Sequence, residues 1–266
     1  MAARDRSSIE ALSGRLPGPG WAWVAGFVAC VAADATLGRW VVLPVFVVGF
    51  YGGVVAIELA TYPLLGRWRA LLRRHGPRAW YLAVIGGLWA GPALVLASSS
   101  PLWLAWGWEG VTALRLVGAL ALVSSVGIGS WAMGKMGWAR LLLAPALFSP
   151  GDEPEERVPR RLVVEGPYRH ARHPLYGADL GVILGTASLT GKWAPVVLAG
   201  AYAAVLGPQL RLEERELEAR FGEAYARYRR LVPGLVPRLG PVDLVRVHGP
   251  QSKEGTDEGE RAGRAR

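Results

Sequence analysis

The sequence has 266 residues, of which 52% are hydrophobic and only 19% are charged, and its mean hydropathy is +0.25. A water-soluble domain of this size needs more charge to cover its surface, so the composition favours an integral membrane protein. In such a protein a net charge of +9 is typical of basic loops that face anionic lipid, and we expect no nucleic-acid partner.

Six apolar blocks follow a polar segment at residues 1–20, and they predict an all-α bundle of about six transmembrane helices. The fifth block is shorter than the roughly 20 residues that a bilayer requires, so we expect it to be tilted or extended by its flanks. The blocks cover residues 21–37, 41–60, 79–97, 111–133, 175–189 and 193–210.

Three regions follow from these blocks and from the polar character of the chain end. Residues 21–133 hold the first four predicted spans, and residues 134–238 form a C-terminal region with a helical hairpin. Residues 239–266 are rich in Gly, Glu and Arg, so we expect a disordered tail there.

The distribution of basic residues predicts how the spans are oriented. Segment 67–78 holds five arginines and no acid, whereas segment 98–110 holds no basic residue. The positive-inside rule makes the first segment cytoplasmic and the second external. Alternation through six spans then places both termini in the cytoplasm, and we expect the cell (inner) membrane as the location.

Isolated reactive residues within the apolar blocks are weaker candidates for function. Cys30 is the single cysteine, which excludes an internal disulfide and a cysteine-based metal site. The four histidines are too scattered for a metal cluster, so we predict no metal site. Asp34 and Glu58 each lie near a block end, which favours an interfacial position over a functional one.

A basic segment leads into the fifth block. Arg169, Arg172 and His173 precede Pro174, and proline fits the first turn of a helix because its missing N–H would have been unpaired there. The segment therefore lies at a helix N-terminus, which carries unpaired N–H groups and partial positive charge. This pattern indicates an anion or carboxylate site, with anchoring to lipid headgroups as the alternative.

A second charged segment continues the sixth block. Read as a helix, residues 210–228 form an apolar stripe that includes two carboxylates, Glu213 and Glu214. A carboxylate on a packing face is costly unless it meets a donor or a cation. The partner is Arg169, Arg172 or a bound ligand, and a structural ion pair remains the alternative to a site.

A glycine repeat predicts how the two segments meet. Gly177, Gly181 and Gly185 recur at steps of four in the fifth block, a spacing that lets helices pack closely. We expect this seam to face the sixth block. A tight hairpin of that kind brings His173 next to Glu213.

Several short motifs are distributed over the two segments. Together they resemble the motifs of the superfamily of isoprenylcysteine carboxyl methyltransferases and phospholipid methyltransferases. The resemblance covers about residues 160–238. The motifs are Gly166-Pro167-Tyr168-Arg169, Arg172-His173-Pro174 with Tyr176-Gly177, Glu213-Glu214, Phe221-Gly222, Tyr225, Tyr228 and Val232-Pro233.

The resemblance implies a pocket for S-adenosylmethionine that faces the cytoplasm and is formed by the C-terminal third. It implies methyl transfer to a lipophilic or membrane-embedded acceptor, such as an isoprenylcysteine carboxylate or a lipid. The implied cofactor contacts are Arg160, Arg161, Leu162, Val163, Tyr168, His173, Pro174, Leu175, Tyr176 and Glu213. Supporting catalytic positions are Arg169, Arg172 and Glu214.

One residue departs from the family pattern. In isoprenylcysteine enzymes an arginine that contacts the substrate lies four residues before the first glutamate, and here Gln209 takes that place. The departure leaves the acceptor open. It also favours an alternative function as a non-catalytic membrane scaffold or transport accessory. A membrane reductase with a related C-terminal pocket and a nicotinamide cofactor is a third possibility.

Overall fold

The computed structural model describes residues 19–61, 82–136 and 162–242, together with residues 64, 67, 70, 71, 74 and 75. The helices within these residues agree with the predicted all-α class. Several predictions fall outside the described residues. They concern most of the polar N-terminal segment, most of the basic loop, Arg160 and Arg161, and the tail beyond residue 242.

The helices belong to a bundle and a smaller C-terminal unit. The bundle holds α1 (Pro19–Leu37), α2 (Val42–Thr61), a π-helical segment (Leu82–Ala90) that leads into α3 (Gly91–Ser98), α4 (Ser100–Leu104), α5 (Thr112–Met136) and α6 (Pro174–Thr190). Helix α7 (Trp193–Phe221) begins in the bundle, where it packs in the main core. Its end forms the C-terminal unit together with a short 3-10 helix (Gly166–Arg169) and α8 (Glu223–Leu231).

Four of the described helices are long and apolar enough to cross a membrane, namely α1, α2, α5 and α7. The third predicted block is broken into the π-helical segment and α3, and the fifth gives a helix of only 17 residues. The membrane character of the chain is therefore supported, while the count of six spans stays a prediction.

The outer faces of these helices carry large apolar side chains that are mostly exposed. Leu120 and Val123 on α5 are 70% and 71% exposed, and Val197 on α7 is 58% exposed. Such surfaces are costly in water but suit lipid chains. The burial pattern thus agrees with contact between the bundle and a bilayer.

Helices α5 and α6 run antiparallel and pack along a glycine seam. A Cβ atom on Gly118 would lie 2.5 Å from the backbone nitrogen of Leu189, and one on Gly185 would lie 2.8 Å from that of Leu122. The prediction that the glycine repeat of α6 faces α7 is therefore wrong at Gly181 and Gly185, whose Cβ positions meet α5. Glycines on both helices allow their backbones to approach most closely at this seam.

A buried acid ties α6 to two other helices. Asp179 of α6 accepts hydrogen bonds from the hydroxyl of Tyr51 on α2 at 2.9 Å and from that of Tyr202 on α7 at 2.8 Å. All three side chains are buried. A carboxylate in an apolar interior requires such donors, so this cluster fixes the relative position of the three helices.

A second buried acid, Asp34 near the end of α1, caps the start of α2. Asp34 is only 2% exposed, and its carboxylate accepts the backbone N–H groups of Val41, Val42 and Leu43 at 2.6 to 2.8 Å. These N–H groups have no partner within the helix, and the carboxylate also lies at its positive end. The role of Asp34 is therefore structural, as a cap.

Helix α7 is long enough to carry charged residues past the membrane. Its 29 residues correspond to about 44 Å, whereas the hydrocarbon core of a bilayer is about 30 Å thick. The stretch from Arg211 onward is highly charged. We therefore place Glu213 and Glu214 beyond the apolar part of the helix.

After α8 the chain forms a C-terminal strap, which we define as residues 232–242. The backbone N–H groups of Arg172 and His173 donate to the carbonyls of Pro233 and Gly234 at 2.8 and 3.0 Å. Val242 is buried in a small apolar core with Val164, Tyr225, Tyr228 and Val232. The folded region thus extends into the segment predicted as a tail, at least to Val242.

Candidate functional site

The start of α6 carries the central side chain of the site. His173 is the N-cap residue of α6, directly before Pro174, and it is 5% exposed. Proline sets the first turn of the helix as the sequence predicts, and the strap fixes the preceding backbone. The imidazole is thereby held against the charged end of α7.

Glu214 forms the centre of an ion-pair network. Arg172 donates to its Oε1 from Nε at 3.0 Å and from Nη2 at 2.6 Å, and His173 Nε2 lies 3.3 Å from the same oxygen. Arg229 Nε is 3.6 Å from its other oxygen. Partial burial opposes ionisation, but the hydrogen bonds and charge of Arg172 outweigh it and hold the pKa of Glu214 below its ordinary value.

The arginines of the predicted anion site are occupied by protein groups. Besides Glu214, Arg172 donates through Nη1 to the carbonyl oxygens of Arg229 and Val232 at 2.9 and 2.5 Å. Arg169 donates through Nε to the carbonyl of Val242 at 2.9 Å. Arg172 thus holds α8 and the strap, and Arg169 holds the strap. The pairing of Arg172 with Glu214 corresponds to the structural ion pair that was the alternative for the glutamates.

Glu213 has a different environment from its neighbour. Its Oε2 atom is buried and has no hydrogen-bond partner among the described residues, and His173 Nδ1 lies 3.6 Å away. The side chain shares hydrogen bonding with Tyr176, which also interacts with Gln209. A buried carboxylate oxygen without a donor is an available acceptor for a ligand.

The remaining predicted residues line the same end of the bundle. Tyr168 is buried, and its carbonyl accepts the hydroxyl of Tyr228 at 2.7 Å. Pro174 is buried, and Leu175 packs against the main core. Leu162 and Val163 are half-buried in the extended stretch before the 3-10 helix.

The structure therefore brings the two predicted segments together. Arg172, His173 and Tyr176 meet Glu213 and Glu214 within one cluster. The meeting of the two segments is an observation. The cofactor-binding role assigned to these residues stays a prediction.

A small cavity adjoins this cluster and contains an acid that sequence reasoning set aside. Glu58 of α2 lies in its wall, and its Oε2 atom is buried without a hydrogen-bond partner among the described residues. The position of Glu58 within an apolar block was the available signal, because an acid at membrane depth is costly unless it has a role. The cavity is lined by Val55, Glu58, Tyr176, Tyr202, Val205, Leu206 and Gln209.

Asp179 is a buried acid that the sequence analysis did not name. It is the one acid of the fifth block, which was a usable signal for a special environment. Its two tyrosine donors satisfy both oxygens, so it connects helices and offers no unpaired atom to a ligand.

Comparison with protein families gives a match over the region that contains the site. Residues 114–224 match the phospholipid methyltransferase family. This range holds most of α5, all of α6 and α7, and therefore His173, Glu213 and Glu214. The observed cluster lies entirely within the matched segment.

Three individual proteins are also similar to this chain. It is 27% identical over 201 residues to a methanethiol S-methyltransferase of Crocosphaera subtropica, covering 69% of this chain and 75% of that protein. It is 43% identical over 79 residues to a cobalt-zinc-cadmium resistance protein of Cupriavidus metallidurans, covering 29% of this chain and 36% of that protein. A methanethiol S-methyltransferase 2 of Bradyrhizobium diazoefficiens is 42% identical over 72 residues, which is 27% of each chain.

Proposed function

We propose that the protein transfers a methyl group from S-adenosylmethionine to a lipophilic or membrane-embedded acceptor. Residues 114–224 match the phospholipid methyltransferase family, and the chain has helices apolar enough to span a membrane. The observation that carries the proposal is the environment of the Glu213 carboxylate. Its buried Oε2 atom has no hydrogen-bond donor among the described residues and lies beside His173 and Tyr176, where the two motif segments meet. Methyl transfer also agrees with the methanethiol S-methyltransferase relatives.

The side chains of the cluster suit the polar and aromatic parts of this cofactor. Glu213 would accept a hydrogen bond from a ribose hydroxyl or an ammonium group, and Tyr168 and Tyr176 offer aromatic faces for an adenine. Pro174 and Leu175 supply apolar contact at the start of α6. By the family resemblance, Leu162 and Val163 join them, as do Arg160 and Arg161, which lie outside the described residues.

The protein's contribution to the reaction is orientation and electrostatics. When bound, S-adenosylmethionine supplies a methyl group on a positively charged sulfur, which a nucleophile displaces in line without a metal. Arg172 and Glu214 hold His173 and the strap, so we assign them a positioning role. Arg169 acts in the same way through its bond to Val242.

The acceptor is constrained by Gln209. This residue is 7% exposed and lines the cavity next to Tyr176, at the position where the isoprenylcysteine enzymes place an arginine. A neutral amide does not neutralise a carboxylate. We therefore propose an acceptor without a carboxylate at its reacting end, which enters from the bilayer while the cofactor enters from the cytoplasm.

The site end of the bundle would then face the cytoplasm, with both termini on that side of the inner membrane. The loop at residues 67–78 supports this orientation, because it holds five arginines and no acidic residue. A non-catalytic scaffold is the competing function, and Gln209 is the observation that favours it.

Calorimetric titration of the purified protein in detergent tests the proposal. We expect S-adenosylhomocysteine to bind at micromolar concentration and Glu213→Ala to weaken that binding at least about tenfold, the loss of about one charge-assisted hydrogen bond. Glu218→Ala is the matched control, because Glu218 lies on the same helix but is half exposed and pairs with Arg229.

The outcomes separate the candidate functions. Binding of a nicotinamide dinucleotide in place of S-adenosylhomocysteine would favour the reductase, and binding of neither would favour the scaffold. Equal affinity in Glu213→Ala and the wild type would remove Glu213 from the site. Incubation of membranes with methyl-labelled cofactor then identifies whether lipid, protein or a small molecule receives the label.

A further inference from the structure

A groove lies at the end of the bundle remote from His173. Three parts of the chain form it, namely the turn between α1 and α2, helix α4 with the residue that follows it, and the turn between α6 and α7. Its volume is about 630 Å³, which is within the range of small-molecule sites. Two of its side chains, Arg39 and Lys192, are cations, and the described lining holds no acid. The groove is therefore a candidate site for an anionic group.

Both cations have donors to spare for an anion. Lys192 donates one hydrogen bond to the carbonyl of Leu104, and an ammonium group has three donors. Arg39 is exposed, and its side chain has no hydrogen bond or ion pair among the described residues. Asp34, the nearest acid in the sequence, is 2% exposed and directs both oxygens to backbone N–H groups of α2, so it does not pair with Arg39. Glu109 is exposed and forms no part of the lining.

The depth of the groove matches lipid headgroups in the leaflet opposite the candidate site. His173 caps one end of α6, and Thr190 in the groove wall ends the same helix 17 residues later, which corresponds to about 26 Å. That distance approaches the roughly 30 Å thickness of the hydrocarbon core. Trp40 lines the groove and Trp193 follows Lys192, and tryptophan is enriched in this interfacial zone. The two cations therefore lie where the phosphates of that leaflet are found.

The apolar part of the groove favours a lipid over a soluble anion. Val41, Pro101 and Leu104 supply apolar surface beside the two cations. Pro101 is exposed and the adjacent Leu102 is 82% exposed, so the groove borders a surface that suits lipid chains. A soluble anion would contact the cations alone and leave the apolar wall in water, which is costly. A phospholipid instead covers the wall with its glycerol and first acyl carbons while its phosphate meets the cations.

We propose that this groove binds the headgroup of an anionic phospholipid, with Arg39 and Lys192 on its phosphate. A zwitterionic headgroup carries its own cation, which the two basic side chains repel, so a headgroup with net negative charge binds better. The bound lipid would connect the three parts of the chain that form the groove and stabilise that end of the bundle. The site lies about 26 Å from His173 along α6 and takes no part in the proposed methyl transfer.

Native mass spectrometry of the purified full chain in detergent tests the assignment. The probes are phosphatidylglycerol and phosphatidylcholine with identical oleoyl chains, and we expect the first phosphatidylglycerol to bind more tightly. Arg39→Gln should weaken its binding by about fivefold, the contribution of one basic side chain at a membrane surface, and leave phosphatidylcholine unaffected. Lys192→Gln should act in the same way, while its amide can still donate to Leu104. Arg115→Gln is the matched control, because Arg115 is exposed near the start of α5, at the same end of the bundle but outside the groove.

Thermal unfolding gives a second readout, and neither measurement depends on methyl transfer. Phosphatidylglycerol should raise the melting temperature of the wild type more than that of Arg39→Gln. Equal affinity of the wild type for the two lipids would overturn the proposal. Equal losses in Arg39→Gln and Arg115→Gln would also overturn it, because they would indicate attraction to surface charge alone. Displacement of the lipid by an equal concentration of inorganic phosphate would likewise refute a lipid site and indicate a site for a soluble anion.

Discussion

Two glutamates that are adjacent in the sequence perform different tasks because of helix geometry. Successive residues of an α-helix point about 100° apart. Glu214 therefore reaches Arg172 and Arg229, whereas Glu213 turns towards His173 and Tyr176. The first carboxylate is paired with two arginines, and the second retains a buried oxygen without a donor in the part of the chain that the structure describes.

Glu214→Gln is expected to destabilise the protein in a pH-dependent manner. The folded-state pKa of Glu214 lies below its ordinary value near 4.5, so the stabilisation is present above that value and is lost as the pH falls through the folded-state pKa. The substitution should lower the free energy of unfolding by about 1 kcal/mol at neutral pH, since the pair is only partly buried. Thermal unfolding in detergent from neutral to acidic pH measures this difference.

The wild-type and Glu214→Gln stabilities should converge at the acidic end of that series. Glu218→Gln removes an acid that is half exposed on the same helix, and its deficit should be smaller at neutral pH. A constant deficit of Glu214→Gln at every pH would show that the ion pair does not provide the stabilisation.

At the level of helices, the glycine seam makes a prediction about packing. A Cβ atom at position 185 would lie 2.8 Å from the nitrogen of Leu122 and 3.0 Å from the carbonyl oxygen of Gly118. Because these are backbone atoms, α5 and α6 must separate. Gly185→Ala should therefore lower the melting temperature by several degrees, the effect of an overpacking cost of about 1–3 kcal/mol.

Gly200→Ala is the matched control for the seam. Gly200 lies on α7, and a Cβ atom there would have no neighbour within 4 Å among the described residues. Alanine also favours the helix over glycine by about 0.5–1 kcal/mol. The control should be neutral or slightly stabilising, and an equal loss in both variants would argue against close packing as the cause.

The glycine spacing predicts close helix packing but does not identify the partner. Such a repeat indicates a helix face on which another helix backbone can pack closely. The identity of the packing partner depends on which other helix also has a face of small residues. In α5 that surface includes Gly118, whereas a Cβ atom on Gly200 or Gly207 of α7 would meet no described residue within 4 Å. Prediction of the packing partner therefore requires the sequences of both helices, and the glycine repeat of α6 alone does not identify it.

The same limit separates the residues that the sequence located from Glu58, which it set aside. His173 and Glu213 stand out because Pro174 marks a helix start and the carboxylates interrupt an apolar stripe. Both are local signals. The environment of Glu58 depends on α7 packing beside α2, which no local pattern near Glu58 encodes.

At the scale of the whole molecule, the proposed orientation predicts which loops are accessible from outside the cell. The backbone N–H of Trp108 donates to the carbonyl of Gly191 at 2.8 Å, at the end of the bundle remote from His173. Glu109 in this region is exposed. In a Cys30→Ser background, Glu109→Cys should react with a membrane-impermeant maleimide on intact cells.

Glu218→Cys in the same background is the control for the opposite side. This position lies on the charged end of α7 and should react only after lysis. The reverse pattern of labelling would invert the proposed topology and place the candidate site outside the cell. Labelling of both positions on intact cells would indicate leaky membranes, and a cytoplasmic marker protein detects that condition.

The strap makes the site depend on residues that follow the last described helix. Its carbonyls at Val232, Pro233 and Gly234 receive hydrogen bonds from Arg172 and His173. Termination after Leu231 removes these acceptors and also Val242, which packs with Tyr225 and Tyr228. We expect this truncation to lower the melting temperature and to abolish binding of S-adenosylhomocysteine. Termination after Val242 keeps every one of those contacts and should retain both properties. Full affinity in the shorter protein would mean that His173 is held by α6 and Glu214 alone, and the strap would then have no part in forming the site.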